Sequence, residues 1–242
     1  MILDNILHFS HPLAKLEKQR LKLCQSKTLP DSLYPLLSTK IATIDSPLEQ
    51  LHYLVIDFET TGLNSMIDNI LSVAAVPIDH FQIKLSHAFH YYVAETQVKE
   101  DTAIINHIVP QMLDGARILD DVMHQLFKLM CGRVIIAHGA MIEKRFILHY
   151  LAARYNISSL PIIWLDTLKL ERSFINKYRG SMNEDFQLSS VRKTYDLPDY
   201  ITHNALIDSI ATAELFLAQV NYLFGEDKKT LGEVYKRSST AL

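Results

Sequence analysis

The chain contains few cysteines and glycines: it has two cysteines and seven glycines in 242 residues. Cys24 and Cys131 form no disulfide framework and no metal-ligand spacing, which excludes a disulfide-rich secreted class and makes a reducing cytoplasm the expected compartment. No apolar run approaches the ~20 residues that cross a bilayer, so we expect no membrane segment. A basic excess is also absent, because the formal net charge is −3. Charge therefore neither supports nor excludes nucleic-acid binding.

The length suits one sizeable domain with an appendage. Residues 1–48 are predicted to form an N-terminal helical arm, with an amphipathic helix from Pro12 to Cys24 and then a proline-punctuated stretch. We expect this arm to pack on the main domain, which should span residues 49–224. The tail, residues 225–242, is expected to be poorly ordered.

From His52 onward the pattern is typical of an α/β fold. The apolar run at 54–56 predicts a buried strand, and Asp79-His80 marks a hairpin turn after the next strand. Three opening strands followed by alternating helix and strand predict a mixed β-sheet flanked by helices. The further predicted strands are 70–78, 83–93, 133–137 and 161–165, and the predicted helices are 118–130, 141–155, 167–176, 187–195 and 205–224.

Two carboxylates follow the first strand core directly. Asp57 and Glu59 are two residues apart, so on a strand both side chains project from the same face. Gly62 can then take the positive φ that a tight turn requires. Carboxylate oxygens are hard ligands that suit Mg²⁺ or Mn²⁺. For this pair alone, two solvated acids at a strand end are the more common explanation.

Two later segments also place acids at the start of helices. Glu143 lies in the first turn of a predicted helix, where the helix dipole alone would favour a negative charge. His138, just before it, is more often a packed polar residue than a ligand. Asp208 opens the last long helix, with His203 in the preceding loop and Asn204 as a plausible N-cap.

Together and in this order, the three segments resemble the DEDDh 3′→5′ exonuclease superfamily, the DnaQ-like group of the epsilon proofreading subunit of DNA polymerase III. The first family motif, D-x-E-T-T-G, is matched in full at 57–62, and the third, H-x4-D, by His203 and Asp208. Two further segments also resemble the family: residues 105–108 resemble its segment near the substrate groove, and residues 165–168 resemble its strand-to-helix junction before the third motif. The resemblance covers about residues 50–220 and implies a ribonuclease H-like fold.

The second motif departs from the family pattern. The family usually has Asp where this chain has Glu143, and the chain is similar in this respect to a bacterial subgroup with Glu there. Glu keeps the charge and adds one methylene, and a group that acts on a metal through water would tolerate this longer reach. Misplacement by ~1 Å at a fixed distance would cost ~100-fold in rate.

The resemblance implies a two-metal hydrolysis with two divalent cations, Mg²⁺ or Mn²⁺. Metal ligation falls to the four carboxylates, and His203 is the implied general base. The implied substrate is the 3′ end of a single-stranded nucleic acid, with DNA favoured. The implied metal ligands are Asp57, Glu59, Glu143 and Asp208, and the implied substrate-binding residues are Phe58, Thr60, Thr61, Leu63, His107 and His138.

Two alternative functions stay open from the sequence. The same motifs serve enzymes that act on RNA or short oligonucleotides, and only contacts to the 2′-hydroxyl separate the two substrates. Glu143 also allows a weakly active scaffold that binds nucleic acid without cutting it. A DNA polymerase or another replication or repair protein is a possible partner, and oligomerisation is possible as well.

Overall fold

One mixed sheet of six strands organises the protein in a computed structural model, which describes residues 11–26, 29–95, 108–178, 185–201, 203–224 and 230–239. β2 runs antiparallel to β1, and β5 and β6 continue the sheet from the other edge of β1 as parallel strands. Both β3 and β4 pair with β2. The strands are β1 (His52–Thr60), β2 (Ile70–Asp79), β3 (Gln82–Ile83), β4 (Phe89–Tyr92), β5 (Val134–Ala137) and β6 (Trp164–Asp166).

Helices cover both faces of this sheet, which confirms the predicted fold class. They are α1 (Pro12–Cys24), α2 (Tyr34–Ser38), α3 (Pro110–Leu113), α4 (Leu119–Met130), α5 (Met141–Tyr155), α6 (Thr167–Tyr178), α7 (Leu188–Lys193), α8 (Ala205–Phe224) and α9 (Leu231–Ser239). In the described part of the chain, no helix is long and apolar enough to cross a membrane.

Alternation along β1 divides the interior into two cores. Leu54, Ile56 and Phe58 belong to the core that packs under α2, α4 and α5. Tyr53 and Val55 belong to the other core, with α6, α8 and α9. Since side chains on a strand alternate between faces, residues 57 and 59 continue the second row, towards α8.

The N-terminal arm is fastened to the domain by polar contacts as well as by leucines. His11 caps α1, because its Nδ1 accepts a hydrogen bond from the Leu13 amide at 3.2 Å. Arg20 is buried and forms an ion pair with Glu17 at 2.6 Å. Its guanidinium also donates a hydrogen bond to the carbonyl of Leu37 in α2. The helix has the predicted bounds, and the arm packs on the domain as expected.

Two sequence expectations differ from the structure. The third strand, predicted over 83–93, is interrupted by a 3-10 turn at Leu85–His87, so it becomes β3 and β4. The tail was expected to be poorly ordered, but residues 231–239 form α9, in which Leu231 and Val234 are fully buried. This helix packs on α6 and β6, and an apolar stripe that is too short to be recognised alone becomes part of the core.

Candidate active site

The first carboxylates stand where β1 leaves the core. Asp57 and Glu59 project towards α8, which crosses β1 and β2. The first turn of α8 carries Asp208. One oxygen from each of the three carboxylates lies within 4.8 Å of the other two. The structure thus brings together the acids of the first and third motifs, although they are separated by about 150 residues in sequence.

The pKa values of all three carboxylates in this trio are raised. Burial raises the pKa of Asp57 well above its usual value, and the nearby charges of Glu143, Glu59 and Asp208 raise it further. Burial raises the pKa of Glu59 to about 7, with Asp208 adding to the effect. The pKa of Asp208 is also raised, mainly by burial. Such mutual repulsion is relieved when a cation sits between the acids.

Glu143 lies apart from the trio but within electrostatic reach of Asp57. It is buried in the first turn of α5, and its Oε2 has no hydrogen-bond partner among the described residues. Burial raises its pKa to about 8, Asp166 adds to the rise, and Lys144 opposes it. A helix-dipole role would suit an exposed acid, whereas an orphaned buried oxygen next to Asp57 fits a group that awaits a ligand.

Asp166 fixes the turn from which α5 starts. It is buried at the end of β6, and its Oδ1 accepts the Gly139 amide at 3.0 Å while its Oδ2 accepts the Ala140 amide at 3.1 Å. Oδ1 also accepts from Leu168 and Lys169 at the start of α6. The sequence drew attention to this segment only as a family echo. Its function as a carboxylate that joins two loops was missed, because two of its donors, the amides of Gly139 and Ala140, are distant in sequence.

The loop before α8 places His203 beside the trio. The backbone of His203 is left-handed, with φ at 66°, and its amide donates to Asp208 Oδ2 at 2.9 Å. Its side chain is exposed. Asn204 is the predicted N-cap, since its Oδ1 accepts the amides of Leu206 and Ile207 at 3.1 and 3.2 Å. The hydrogen bonds to the Asn204 and Asp208 side chains thus fix the backbone from which the His203 imidazole projects.

The loop after β1 corrects one expectation about Gly62. Positive φ occurs at three described glycines, and Gly62 is not among them. A Cβ at this position would instead stand 2.5 Å from the Asp68 carboxylate. Asp68 accepts the Asn64 amide at 2.9 Å and the Thr61 hydroxyl at 3.3 Å. Glycine is needed here for close approach of a carboxylate and not for handedness.

The predicted substrate-binding threonines are engaged within this same loop. The Thr61 amide donates to the Asn69 carbonyl at 2.9 Å, and the Thr61 hydroxyl accepts the Asn69 amide. Thr60 donates its hydroxyl to the Gly62 carbonyl at 2.6 Å. The Thr61 amide is therefore not available to a nucleotide without loss of a loop hydrogen bond.

Three further predicted contact residues have different surroundings. Leu63 is 68% exposed beside the carboxylates, as a base-contacting side chain would be, whereas Phe58 is buried in the core. His138 donates from Nε2 to the Phe186 carbonyl at 2.8 Å, and its Nδ1 lies 2.8 Å from the Thr167 hydroxyl. Both nitrogens are thus held by the protein, and burial lowers the pKa of the ring. His138 is a packed polar residue in this structure.

His107 lies outside the described residues, so its predicted substrate contact stays a prediction. The donor set itself fits divalent cations of the Mg²⁺ and Mn²⁺ type, because it contains oxygen ligands and no thiolate or second imidazole. The three clustered oxygens could hold a divalent cation, and the Glu143 Oε2, which has no partner among the described residues, could serve as a further ligand.

The exonuclease family model named RNase T matches residues 54–216, and the chain belongs to this family. The predicted membership of the DnaQ-like DEDDh superfamily is thereby confirmed, as is the ribonuclease H-like fold. The match begins at the apolar core of β1 and ends within α8, so it includes every carboxylate described above.

Relatives and solved structures agree with this assignment. The chain is 29% identical over 181 residues to the PolC-type DNA polymerase III of Thermotoga petrophila, a match that covers 74% of this chain and 12% of the relative. It is 28% identical over 204 residues to the corresponding polymerase of Staphylococcus epidermidis, covering 80% and 14%. The chain therefore spans a small part of the length of these relatives.

Two solved nucleases share the fold. Cell-death related nuclease 4 superimposes with a TM-score of 0.62 at 17% identity, covering 71% of this chain and 64% of that chain. The nuclease domain of 3′hExo, a DEDDh family member bound to rAMP, superimposes with a TM-score of 0.60 at 16% identity, covering 76% and 98%.

Proposed function

We propose that the protein is a metal-dependent 3′→5′ exonuclease that removes nucleotides from the 3′ end of single-stranded nucleic acid, with DNA favoured. The observation that carries the proposal is the cluster of Asp57, Glu59 and Asp208, three repelling carboxylates with oxygens within 4.8 Å. Their arrangement lies in a chain of an exonuclease family. A pair of divalent cations, when bound, supplies Lewis-acid stabilisation of the attacking and leaving oxygens at phosphorus.

All four carboxylates are proposed to hold the cations. Asp57 would hold the cations together with Glu59 and Asp208, since an oxygen of each lies within 4.8 Å of the other two. Glu143 lies outside the trio and would hold a cation directly or through water, and its buried Oε2 has no hydrogen-bond partner among the described residues.

His203 is the proposed general base. Its imidazole is exposed, so the water molecule that attacks the phosphodiester can reach a ring nitrogen. The amide of the same residue donates to Asp208 Oδ2, which ties the base to the carboxylate cluster. An imidazole changes protonation state near neutral pH, and it can accept the proton of the attacking water and pass it to solvent.

Exposed apolar side chains favour an unpaired end as the substrate. Leu63 beside the cluster is 68% exposed, and Met66 and Ile67 in the same loop are each 72% exposed. Apolar surface of this kind contacts the faces of unstacked bases, and a base within a duplex does not offer its face. Leu63 is proposed to pack on the terminal base, and Thr60 and Thr61 to shape the loop that presents it.

The wider context is also a proposal. The polymerase relatives suggest a replication setting, in which the residue 49–224 domain would act on the 3′ end left by a polymerase. RNA is the second candidate substrate, favoured by the nuclease domain solved with rAMP.

The test uses the full chain and matched single-stranded DNA and RNA of the same sequence, labelled at the 5′ end. With Mg²⁺ or Mn²⁺ we expect a ladder that shortens stepwise from the 3′ end, and no cleavage with chelator or in the Asp57→Ala variant. The Asp45→Ala protein, altered at a surface acid of the arm, is the matched control and should cut normally. Cleavage by Asp57→Ala at the wild-type rate would overturn the assignment, and faster loss of RNA would replace DNA as the substrate.

A further inference from the structure

A cavity of about 250 Å³ lies beside α5, between that helix, β6, α6 and α9. None of the three clustered carboxylates lines it. The residues that matter for its chemistry are two lysines, one aromatic ring and hydroxyl groups from the last helix. These are Lys144, Lys169, Trp164, Tyr235 and Ser238.

Two ammonium groups share this cavity. Lys144 Nζ stands 5.1 Å from the centre of the Trp164 ring, and Lys169 lies in the first turn of α6. Within the described residues, neither ammonium forms an ion pair with a carboxylate.

The carboxylates nearest to Lys144 are already engaged elsewhere. Asp166 and Glu143 both attract its charge. However, the oxygens of Asp166 accept four backbone amides, which stabilise that negative charge locally. Glu143 stands against Asp57 at the proposed metal site. Both lysines line the cavity, and neither is held in an ion pair with a carboxylate among the described residues.

Two residues of α9 that carry hydroxyl groups, Tyr235 and Ser238, also line the cavity. Ser238 lines the cavity, is 3% exposed, and its Oγ has no hydrogen-bond partner among the described residues. The Tyr235 side chain lines the same space. A buried hydroxyl without a partner costs about 1–3 kcal/mol, so a native structure seldom keeps one without a reason.

The size and charge of the cavity select the ligand. Sites for drug-sized molecules occupy about 300–1,000 Å³, and this cavity is smaller, so it suits a compact ligand. A phosphate monoester carries about −1.5 to −2 charges near pH 7 and has three strong acceptor oxygens. Two ammonium groups and neighbouring hydroxyls match both properties.

We propose that this cavity binds a phosphate group, either inorganic phosphate or the 5′-phosphate of a mononucleotide. The second source rests on the proposed function, because an exonuclease of this polarity releases such mononucleotides. The first source does not.

Calorimetric titration of the full chain tests the proposal, with inorganic phosphate and a 5′-mononucleotide as probes and with chelator present throughout. The chelator removes metal-mediated binding, so the result is independent of whether the enzyme cleaves DNA. Charged hydrogen bonds contribute about 1.5–3 kcal/mol each, so Lys144→Met and Lys169→Met should each weaken phosphate binding by about tenfold or more. Equal affinity for both probes identifies phosphate alone as the ligand, and tighter mononucleotide binding identifies the product.

Controls separate this cavity from the rest of the surface. Lys128→Met alters an exposed lysine on α4 and should leave the affinity unchanged. Asp208→Asn alters the metal site and should also leave it unchanged. Ser238→Ala should weaken binding by a smaller factor than either lysine change. If Lys144→Met does not fold, as thermal unfolding would show, Lys169→Met carries the test. Absence of saturable binding by the wild-type chain, or unchanged affinity in Lys169→Met, would overturn the proposal.

Discussion

Asp166 and Asp57 stand at the ends of two strands of one sheet, and their surroundings are opposite. Asp166 accepts four backbone amides from two helix starts. Asp57 faces three other carboxylates, and its pKa is raised by burial and by each of them. A buried carboxylate surrounded by amides stabilises the fold, whereas one surrounded by carboxylates destabilises the metal-free fold and favours cation binding.

The largest effects are expected when each of these two acids is replaced by its amide, because the two substitutions should change the melting temperature in opposite directions. Asp57→Asn should abolish nuclease activity and raise the melting temperature of the metal-free protein at pH 8, because it removes repulsion. Asp166→Asn should lower that melting temperature, because an amide nitrogen then faces amide donors. Thermal unfolding in chelator checks both signs. Destabilisation by Asp57→Asn would show that the trio is structural.

The proposed base gives the next largest effect. His203→Ala should lower kcat by about 10²–10⁴-fold, since it removes a general base, while affinity for single-stranded DNA stays within a few-fold of wild type. His124→Ala, on α4 far along the chain, is a control for loss of a histidine. The pH profile of kcat decides the point, because its acidic limb should disappear in His203→Ala and persist in the control.

Asp166 should act on metal affinity through Glu143. Loss of a group that orients a ligand costs about 10–100-fold in metal affinity or activity, and Asp166→Asn should raise the half-saturating Mn²⁺ concentration by that factor. Asp185→Asn is the matched control, because Asp185 accepts the Gln187 amide at the start of α7. Equal Mn²⁺ dependence in the two variants would leave Asp166 with no positioning role.

Glu143→Asp tests the departure from the family pattern directly. The shorter side chain moves the carboxylate back towards α5, so metal affinity should fall if the extra methylene is needed to reach the second ion. We expect a rate reduction of up to about 100-fold at limiting metal. A higher rate than wild type at saturating metal would show instead that Glu143 detunes the site.

The pH dependence of stability gives the smallest effect. The pKa values of Glu59 and Glu143 are raised to about 7 and about 8, above their ordinary value of 4.5. Between pH 5 and pH 8 the unfolded chain therefore binds fewer protons than the folded chain, and the free energy of unfolding falls as the pH rises. In chelator, Glu143→Gln should flatten this decline relative to wild type and to the exposed-site control Glu233→Gln. Parallel curves for all three would contradict the raised pKa of Glu143.

Much of the fold could be predicted from the sequence because its signals are local. Apolar runs identified β1 and β5, and the bounds of α1, α5 and α8 agree with the predicted helices. The single predicted strand at 83–93 was wrong, since a 3-10 turn that divides it has no strong local signal. The ordered helix at 231–239 was missed because its apolar stripe gains meaning only against α6 and β6.

The sequence by itself determined that two acids share one face of β1 and that Asn204 caps the helix carrying Asp208, because strand alternation and helix capping are local rules. Only the tertiary structure decided that Asp57, Glu59 and Asp208 come within 4.8 Å of one another. It also decided that Glu143 is buried beside Asp57 while Asp166 is compensated by amides. A carboxylate's neighbours across the fold set its pKa, and no local pattern records them.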